Sequence, residues 1–111
     1  SLVRNAAEVG DFMLEGLREL QQKHALIGDV RGKGLMIGIE LVRDRTTKVR
    51  ATTERDRIVD EAFARGLLIL GAGRNTLRLS PPLVLTRAQA RIAIDILDAS
   101  IAAVSQDATL V

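Results

Sequence analysis

The spacing of the apolar residues in this 111-residue chain changes along the sequence between the period of a helix and that of a strand. From about Leu2 to Lys23, apolar residues recur at intervals of three and four, so they share one face of an amphipathic helix. The predicted stripe consists of Val3, Ala6, Gly10, Met13, Leu17 and Leu20. From Leu35 to Leu41, branched apolar residues occupy every second position, which is typical of a strand. Gly32 and Gly34, just before this strand, predict a bend or bulge. A chain that uses both periods is expected to pack helices against a sheet.

The polar segment 43–57 mixes charges of both signs and is interpreted as a solvated loop or hairpin that leads into a second helix. Thr52 or Thr53 is the expected N-cap of this helix, and Gly66 is its expected C-terminal stop. The predicted buried stripe of the helix consists of Ile58, Val59, Ala62 and Phe63.

Two short strands and a third helix complete the prediction. Residues 66–70 form a short apolar run expected to be a buried strand, and residues 76–80 form a second strand that Pro81 and Pro82 end. The last helix starts at Thr86, whose hydroxyl can form a capping box with Gln89. Its predicted core-facing stripe consists of Ala90, Ile94, Leu97, Ile101 and Val104. The predicted fold is one α+β domain over residues 1–111, in which helices cover a small, mainly antiparallel sheet.

The composition excludes several classes of function. The net charge is only +2 and aromatic residues make up 2% of the chain, so neither a strong basic field nor a base-stacking surface indicates nucleic-acid binding. The absence of cysteine excludes disulfides and Cys-based zinc sites and fits a reducing compartment. No apolar run is long enough to span a membrane, so the cytoplasm is the expected location. The chain begins without methionine inside a predicted helix, which suggests an excised part of a longer protein.

The glycine-rich segment RGKGLMIG, residues 31–38, does not fit a phosphate-binding loop. A dinucleotide loop lies between a strand and a helix, whereas here a strand follows the glycines. A P-loop needs Ser or Thr after its lysine, and Gly34 follows Lys33. These glycines are therefore interpreted as structural.

The other polar candidates also indicate structure rather than catalysis. His24 is the single histidine and follows the first helix, where a surface or capping role is expected. Asp95 and Asp98 share a face of the last helix with Arg91 one turn before Asp95, which predicts a solvated, salt-bridged surface. No residue of the chain is assigned as catalytic or metal-binding.

Arg78 stands out because it lies between Leu77 and Leu79 in the predicted strand 76–80. Alternation places the two leucines on one face and Arg78 on the other. Two interpretations remain open from periodicity alone. Arg78 is either an ordinary solvent-facing arginine on a one-sided sheet, or a cation directed into a cleft shared with another part of a larger protein. A guanidinium matches the two oxygens of a carboxylate better than an ammonium does.

Three segments of the chain together resemble a known family. VRGKGLMIGIEL, ARGLLIL and NTLRLSPPLVLT occur in an order and spacing similar to the C-terminal small domain of class III aminotransferases. These are pyridoxal-phosphate enzymes of fold type I that include the ornithine, 4-aminobutyrate and acetylornithine types. The resemblance extends from the first helix to about Val104, and it is greatest to the 4-aminobutyrate and acetylornithine enzymes.

The resemblance implies a role for Arg78. It corresponds to the family's arginine that binds a carboxylate of the amino-acid substrate, and Leu79, Ser80, Pro81, Pro82 and Leu83 complete the matching segment. By this resemblance, Arg78 binds the substrate carboxylate in an interdomain cleft, and the two prolines fix the backbone that follows the strand.

The resemblance also implies what this chain does not supply. The lysine that forms the Schiff base with pyridoxal phosphate lies in the family's large domain, together with the other cofactor-binding groups. None of Lys23, Lys33 and Lys48 matches that lysine, so the isolated chain is expected to be inactive. The implied partners are the large domain of the same polypeptide, amino-acid and 2-oxo-acid substrates, and a second subunit in a homodimer.

Two alternatives to an aminotransferase remain open. Related sequences include amino-acid racemases and epimerases that use the same cofactor and the same carboxylate anchor. A free-standing, non-catalytic binding module that uses an exposed sheet face is the other alternative.

Overall fold

A computed structural model describes residues 2–33, 36–80 and 85–109 of the chain. Within these residues, three helices pack on a four-stranded antiparallel sheet with the strand order β1-β2-β4-β3. The predicted α+β fold is therefore confirmed. The elements in chain order are α1 (Leu2–Lys23), β1 (Ile27–Lys33), β2 (Met36–Leu41), α2 (Thr52–Ala64), β3 (Leu70–Ala72), β4 (Thr76–Leu79) and α3 (Arg87–Thr109).

The core lies between the helices and one face of the sheet. Along β2 and β4 the buried residues alternate with more exposed ones, as expected for a sheet covered on one side. The buried apolar side chains of all three helices and of β1, β2 and β4 belong to one cluster. The sheet face opposite the helices, called the outer face below, carries Asp29, Arg31, Met36, Glu40, Leu70 and Arg78.

Helix α1 has the predicted extent, α3 begins directly after Thr86 as predicted, and both have the predicted buried stripes. In α1, Met13 and Leu17 are fully buried, whereas Val3, assigned to the same stripe but lying in the first turn, is 81% exposed. All five residues predicted for the stripe of α3 are buried. The capping box is also confirmed: the backbone N–H of Gln89 donates to Thr86 Oγ1 at 3.1 Å, and the Thr86 N–H donates to Gln89 Oε1 at 3.0 Å.

Strand β1 was not predicted, because the glycines and the polar residues between Ile27 and Lys33 are weak strand formers. Pairing with β2 overrides this weak propensity, and Ile27 and Val30 are buried by the helices. The ladder is irregular between Ile27 and Asp29, whereas the bulge was expected at Gly32 and Gly34. Gly34 and Leu35 lie outside the described residues.

The strand predicted at residues 66–70 is wrong. The strand, β3, runs from Leu70 to Ala72, and of the preceding apolar residues Ile69 is buried while Leu68 is 72% exposed. Ile69 joins the core without pairing in the ladder, which begins where Leu70 lies opposite Arg78. Strand β4 matches its prediction, and Pro81 and Pro82 lie outside the described residues.

Helix α2 differs from the prediction in its cap and its stripe. Its N-cap is Ala51 and no side chain caps this end, so neither Thr52 nor Thr53 has the predicted role. Ile58 and Ala62 are buried as predicted, but Phe63 is 68% exposed. Gly66 has a φ of +96° and ends the helix as expected, with its N–H donating to the Phe63 carbonyl at 3.0 Å.

The N-terminal ends of α3 and α2 allow a stability prediction with a matched control. Replacing Thr86 with alanine is expected to lower the free energy of unfolding by about 1 kcal/mol, because the hydroxyl accepts a hydrogen bond that nothing else in the first turn replaces. Thr52→Ala serves as the control, since Thr52 caps nothing. Urea unfolding of both variants measures the difference. Equal losses would contradict the capping role of Thr86.

Candidate functional site

Arg78 lies on the outer face, in the middle of a row of residues that crosses the sheet. On one side it pairs with Gly38 of β2, and on the other with Leu70 of β3. Arg31 of β1 pairs with Gly38 from the far side, so two arginines flank a position without a side chain. As alternation predicts, Leu77 and Leu79 are buried in the core, and Arg78 is exposed.

The guanidinium of Arg78 makes no hydrogen bond or ion pair with the described part of the chain. It borders a cavity of about 260 Å³ whose wall includes Met36, Gly38 and Thr76. A methyl group at position 38 would meet Thr76 Cγ2 at 3.7 Å, an ordinary van der Waals contact, so it would fit there without displacing a neighbour. An arginine with its paired donors uncommitted beside a cavity is suited to bind an anion with two oxygens, such as a carboxylate.

Arg31 is in the opposite situation, although it lies in the same row. It pairs closely with Asp29, and one of its terminal nitrogens is 3.8 Å from Glu40 Oε2. The hydrogen bond with Asp29 and the charge of that carboxylate raise the pKa of Arg31. The two carboxylates neutralise Arg31, so Arg31 offers an anion less uncompensated positive charge than Arg78 does.

The backbone below Arg78 is held at several points. Strand β4 lies between β2 and β3 in the sheet, so both of its edges are paired. Just before β4, the Asn75 side chain is buried and donates to the Leu41 carbonyl at 2.7 Å. The Leu41 N–H donates back to the Asn75 carbonyl at 2.9 Å. A fixed backbone at this point limits the positions that the Arg78 side chain can reach.

Arg55 is a polar residue that the sequence interpretation missed, because it lies in the segment interpreted as a solvated loop. It is only 8% exposed, and its guanidinium lies beneath the turn between β3 and β4. Its Nη1 donates to the carbonyls of Ala72 and Thr76 at 3.1 and 3.0 Å. One signal was present in the sequence: Arg55 precedes Ile58 by three positions and Ala62 by seven, which places it on the buried stripe of α2.

His24 was expected to have a surface or capping role, but it is buried and its side chain connects the end of α1 to α3. It is 8% exposed and its Nε2 lies 2.6 Å from Asp98 Oδ1. Lys23 Nζ lies 2.8 Å from the other oxygen of the same carboxylate. Partial burial raises the pKa of Asp98, but the hydrogen bonds from Lys23 and His24 outweigh it and lower the pKa overall. This cluster joins the C-terminal end of α1 to the middle of α3.

The pair Arg91 and Asp95 forms an exposed salt bridge, as predicted, with an Nη2–Oδ1 distance of 2.9 Å. In the described part of the chain, no three side chains of the metal-binding types come together. None of the helices within those ranges is long and apolar enough to cross a bilayer.

The described residues do not fit a pyridoxal-phosphate site. Such a site needs a lysine for the Schiff base and groups that hold the phosphate and the pyridine nitrogen. Lys23 is committed to Asp98, and Lys48 lies in the exposed loop 43–50. The side chain of Lys33 lies outside the description. The described side chains thus present an exposed arginine beside a cavity, but they do not provide a cofactor cradle.

Comparison with known proteins shows one family. Residues 1–101 match the aminotransferase class-III family. Alanine–glyoxylate aminotransferase 2 homolog 2 of Arabidopsis thaliana is 45% identical over 101 residues, which are 89% of this chain and 21% of that protein. The leucine/methionine racemase of Thermococcus litoralis is 39% identical over 105 residues, or 95% of this chain and 24% of that protein.

A solved structure agrees with this result. The amine transaminase from an uncultivated Pseudomonas species, in its PLP-bound internal aldimine form, superposes with a TM-score of 0.86 at 44% identity. The match covers 92% of this chain and 23% of that one. The chain thus spans between a fifth and a quarter of the length of these relatives. With its α+β architecture and the family match over nearly its whole length, the chain belongs to the class III aminotransferases.

Proposed function

We propose that residues 1–111 form the small, C-terminal domain of a PLP-dependent aminotransferase and that Arg78 anchors the substrate carboxylate. The observation that carries this proposal is the state of Arg78: its guanidinium is exposed, has no partner among the described residues and borders a cavity beside Gly38. A permanent cation held on a fixed strand with its donors free is preorganised for an anionic ligand.

The chemistry of amino transfer needs such an anchor. The 2-oxo acid acceptor carries a carboxylate next to its reacting carbon, and an amino donor such as 4-aminobutyrate carries one several carbons from the amino group that it gives up. Each of these substrates therefore offers a carboxylate to an arginine, and bidentate pairing fixes the orientation of the bound substrate.

The cofactor and partners follow from the same proposal. Pyridoxal phosphate, which serves as the electron sink of such reactions, is held by a large domain of the same polypeptide. The complete enzyme is a homodimer, and the proposed location is the cytoplasm, which the absence of cysteine supports. One relative is named as mitochondrial, so fractionation of the source cells tests this location.

We further propose that the amino donor belongs to the 4-aminobutyrate or acetylornithine class. The support is the resemblance of the RGKGLM and LRLSPPL segments to those enzymes. A panel of donors, including alanine and taurine because they are named in relatives, tests the assignment. The highest kcat/KM is expected with 4-aminobutyrate or N-acetylornithine, and a higher value with alanine or taurine would overturn the subtype.

A racemase is the second candidate, and a specific observation favours it: relatives at 39–41% identity are named as racemases or epimerases. The test uses the native gene product that carries this chain. Enantiopure chiral amino acids, including alanine and N-acetylornithine, are incubated with and without a 2-oxo acid.

Chiral chromatography of the products then separates the candidates. An aminotransferase is expected to consume the amino acid only when the 2-oxo acid is present and to form a new amino acid from it. Inversion of the amino acid without any 2-oxo acid would identify a racemase. If neither reaction occurred in a native product of about this chain's length, the third alternative, a binding module, would replace both.

A further inference from the structure

The turn between β3 and β4, residues 73–75, is held from below by one side chain of α2. Both terminal nitrogens of Arg55 lie 3.4 Å from the Gly73 carbonyl, in addition to the shorter hydrogen bonds from Nη1 to the two carbonyls that flank the turn. The Nε of Arg55 donates to Asp56 Oδ1 at 2.8 Å, which fixes the other edge of the guanidinium. Arg55 thus binds the main chain on both sides of the turn.

The sequence of the hairpin leaves room for this contact. A Cβ atom at position 71 would lie 3.0 Å from both Cζ and Nη1 of Arg55, closer than real Cβ contacts normally are. Gly71 therefore permits the guanidinium to lie against the backbone of β3. Gly73, with a φ of +54°, adopts the left-handed conformation that the turn requires.

This contact adds to the interactions that hold the strand carrying Arg78. Strand β3 has only three residues, and its ladder with β4 runs from Ala72, opposite Thr76, to Leu70, opposite Arg78. An edge strand this short has few hydrogen bonds to set its position. Arg55 fixes the first pair of this ladder, because it binds the carbonyls of both Ala72 and Thr76. Arg78 lies two residues further along the same strand.

We propose that Arg55 is a positioning residue for Arg78. It touches no substrate; it holds the β3–β4 hairpin in the register that points the Arg78 guanidinium at the carboxylate. This inference rests on the proposed function, since it assigns the consequence of the Arg55 contact to carboxylate binding.

A double-mutant cycle in the native gene product tests the inference. Arg55→Lys keeps the charge but loses the planar fork that reaches three carbonyls. It is expected to raise KM for the amino acid by about tenfold with kcat changed less than about threefold, since misplacing a substrate-positioning group by ~1 Å can cost up to ~100-fold. In the Arg78→Met background, the same substitution is expected to change KM by less than about twofold, because residues that act through one another are not additive.

Two further variants separate positioning from general stability. In Gly71→Ala, the added methyl group displaces the Arg55 guanidinium from the backbone of β3. This variant is therefore expected to raise KM for the amino acid as Arg55→Lys does. Ile58 lies on the same buried stripe of α2, three residues after Arg55, and its side chain cannot hydrogen-bond to the β3–β4 hairpin. Ile58→Val is therefore expected to destabilise α2 without moving the hairpin. Its KM is expected to stay within about twofold of wild type at temperatures below unfolding.

The outcomes distinguish the two claims. If Arg78→Met raised KM while Arg55→Lys and Gly71→Ala left it unchanged, the positioning role would be wrong and the proposed function would stand. If Arg55→Lys raised KM equally in the wild-type and Arg78→Met backgrounds, the positioning role would also be wrong, because Arg55 would then act independently of Arg78. If Arg78→Met left KM unchanged, the proposed function itself would fail.

Discussion

Replacing Arg78 with lysine in the native gene product is expected to lower kcat/KM for the amino-acid substrate severely. Lysine keeps the positive charge but loses the paired donors that match both carboxylate oxygens. By analogy with charged pairs truncated in buried interfaces, the loss is about 2–5 kcal/mol. That range is roughly 30-fold to several thousandfold in kcat/KM, since about 1.4 kcal/mol corresponds to a factor of ten. Steady-state kinetics with donor and acceptor varied separately measures the effect.

Arg31→Lys provides the matched control for this prediction. Arg31 lies in the same cross-sheet row and on the same outer face, two strands from Arg78, but Asp29 and Glu40 neutralise it. Its replacement is expected to change kcat/KM only a few-fold. A large loss for Arg31→Lys together with unchanged kinetics for Arg78→Lys would move the anchor to Arg31.

Replacing Leu77 with alanine is expected to lower the free energy of unfolding of the chain by about 2–5 kcal/mol. Leu77 is fully buried in the core cluster, and it pairs with Ile39 of β2 and Gly71 of β3. Truncation removes apolar contacts and leaves a cavity at the centre of the sheet. Urea unfolding followed by circular dichroism measures the change.

The adjacent residue is the control for Leu77. Arg78 is exposed and has no partner among the described residues, so Arg78→Ala is expected to change stability by no more than about 0.5 kcal/mol. Neighbours in one strand should therefore show opposite behaviour, with Leu77 affecting folding and Arg78 affecting binding. A loss of stability for Arg78→Ala as large as that for Leu77→Ala would contradict an anchor whose donors are free.

The long, strongly periodic elements could be predicted from the sequence. The stripes of α1 and α3 repeat over several turns, so one misplaced residue such as Val3 does not hide the pattern. The capping box at Thr86 and Gln89 was predictable because its interactions are local. The outward direction of Arg78 followed from the alternation of a single short strand.

The missed elements depend on contacts that are distant in the sequence. Strand β1 is stabilised by pairing with β2 and by burial of Ile27 and Val30, not by its own residues. The run 66–70 contains enough apolar residues for a strand, but the ladder begins only at Leu70, where a partner in β4 is available. Sequence patterns do not show which partner a short strand will find.

Only part of the candidate site could be predicted from the sequence, for a similar reason. Arg78 is identifiable as an unusual cation on a sheet, whereas Arg55 is recognised only when its carbonyl partners in the hairpin are known. A charged residue in a mixed-charge segment is normally solvated, so Arg55 was interpreted as part of a loop. Its helical spacing with Ile58 and Ala62 indicated the opposite, a place on the buried stripe of α2. Burial of an arginine becomes favourable only when acceptors are arranged around it by tertiary structure.

The most direct test of the central claim compares an amino acid with its carboxamide in the wild-type gene product and in Arg78→Met. The carboxamide keeps the size of the substrate but has no negative charge for a guanidinium to bind. The wild type is expected to have a KM at least about tenfold lower for the carboxylate, and Arg78→Met is expected to lose that preference. If Arg78→Met kept the full preference for the carboxylate, Arg78 would not be the carboxylate anchor.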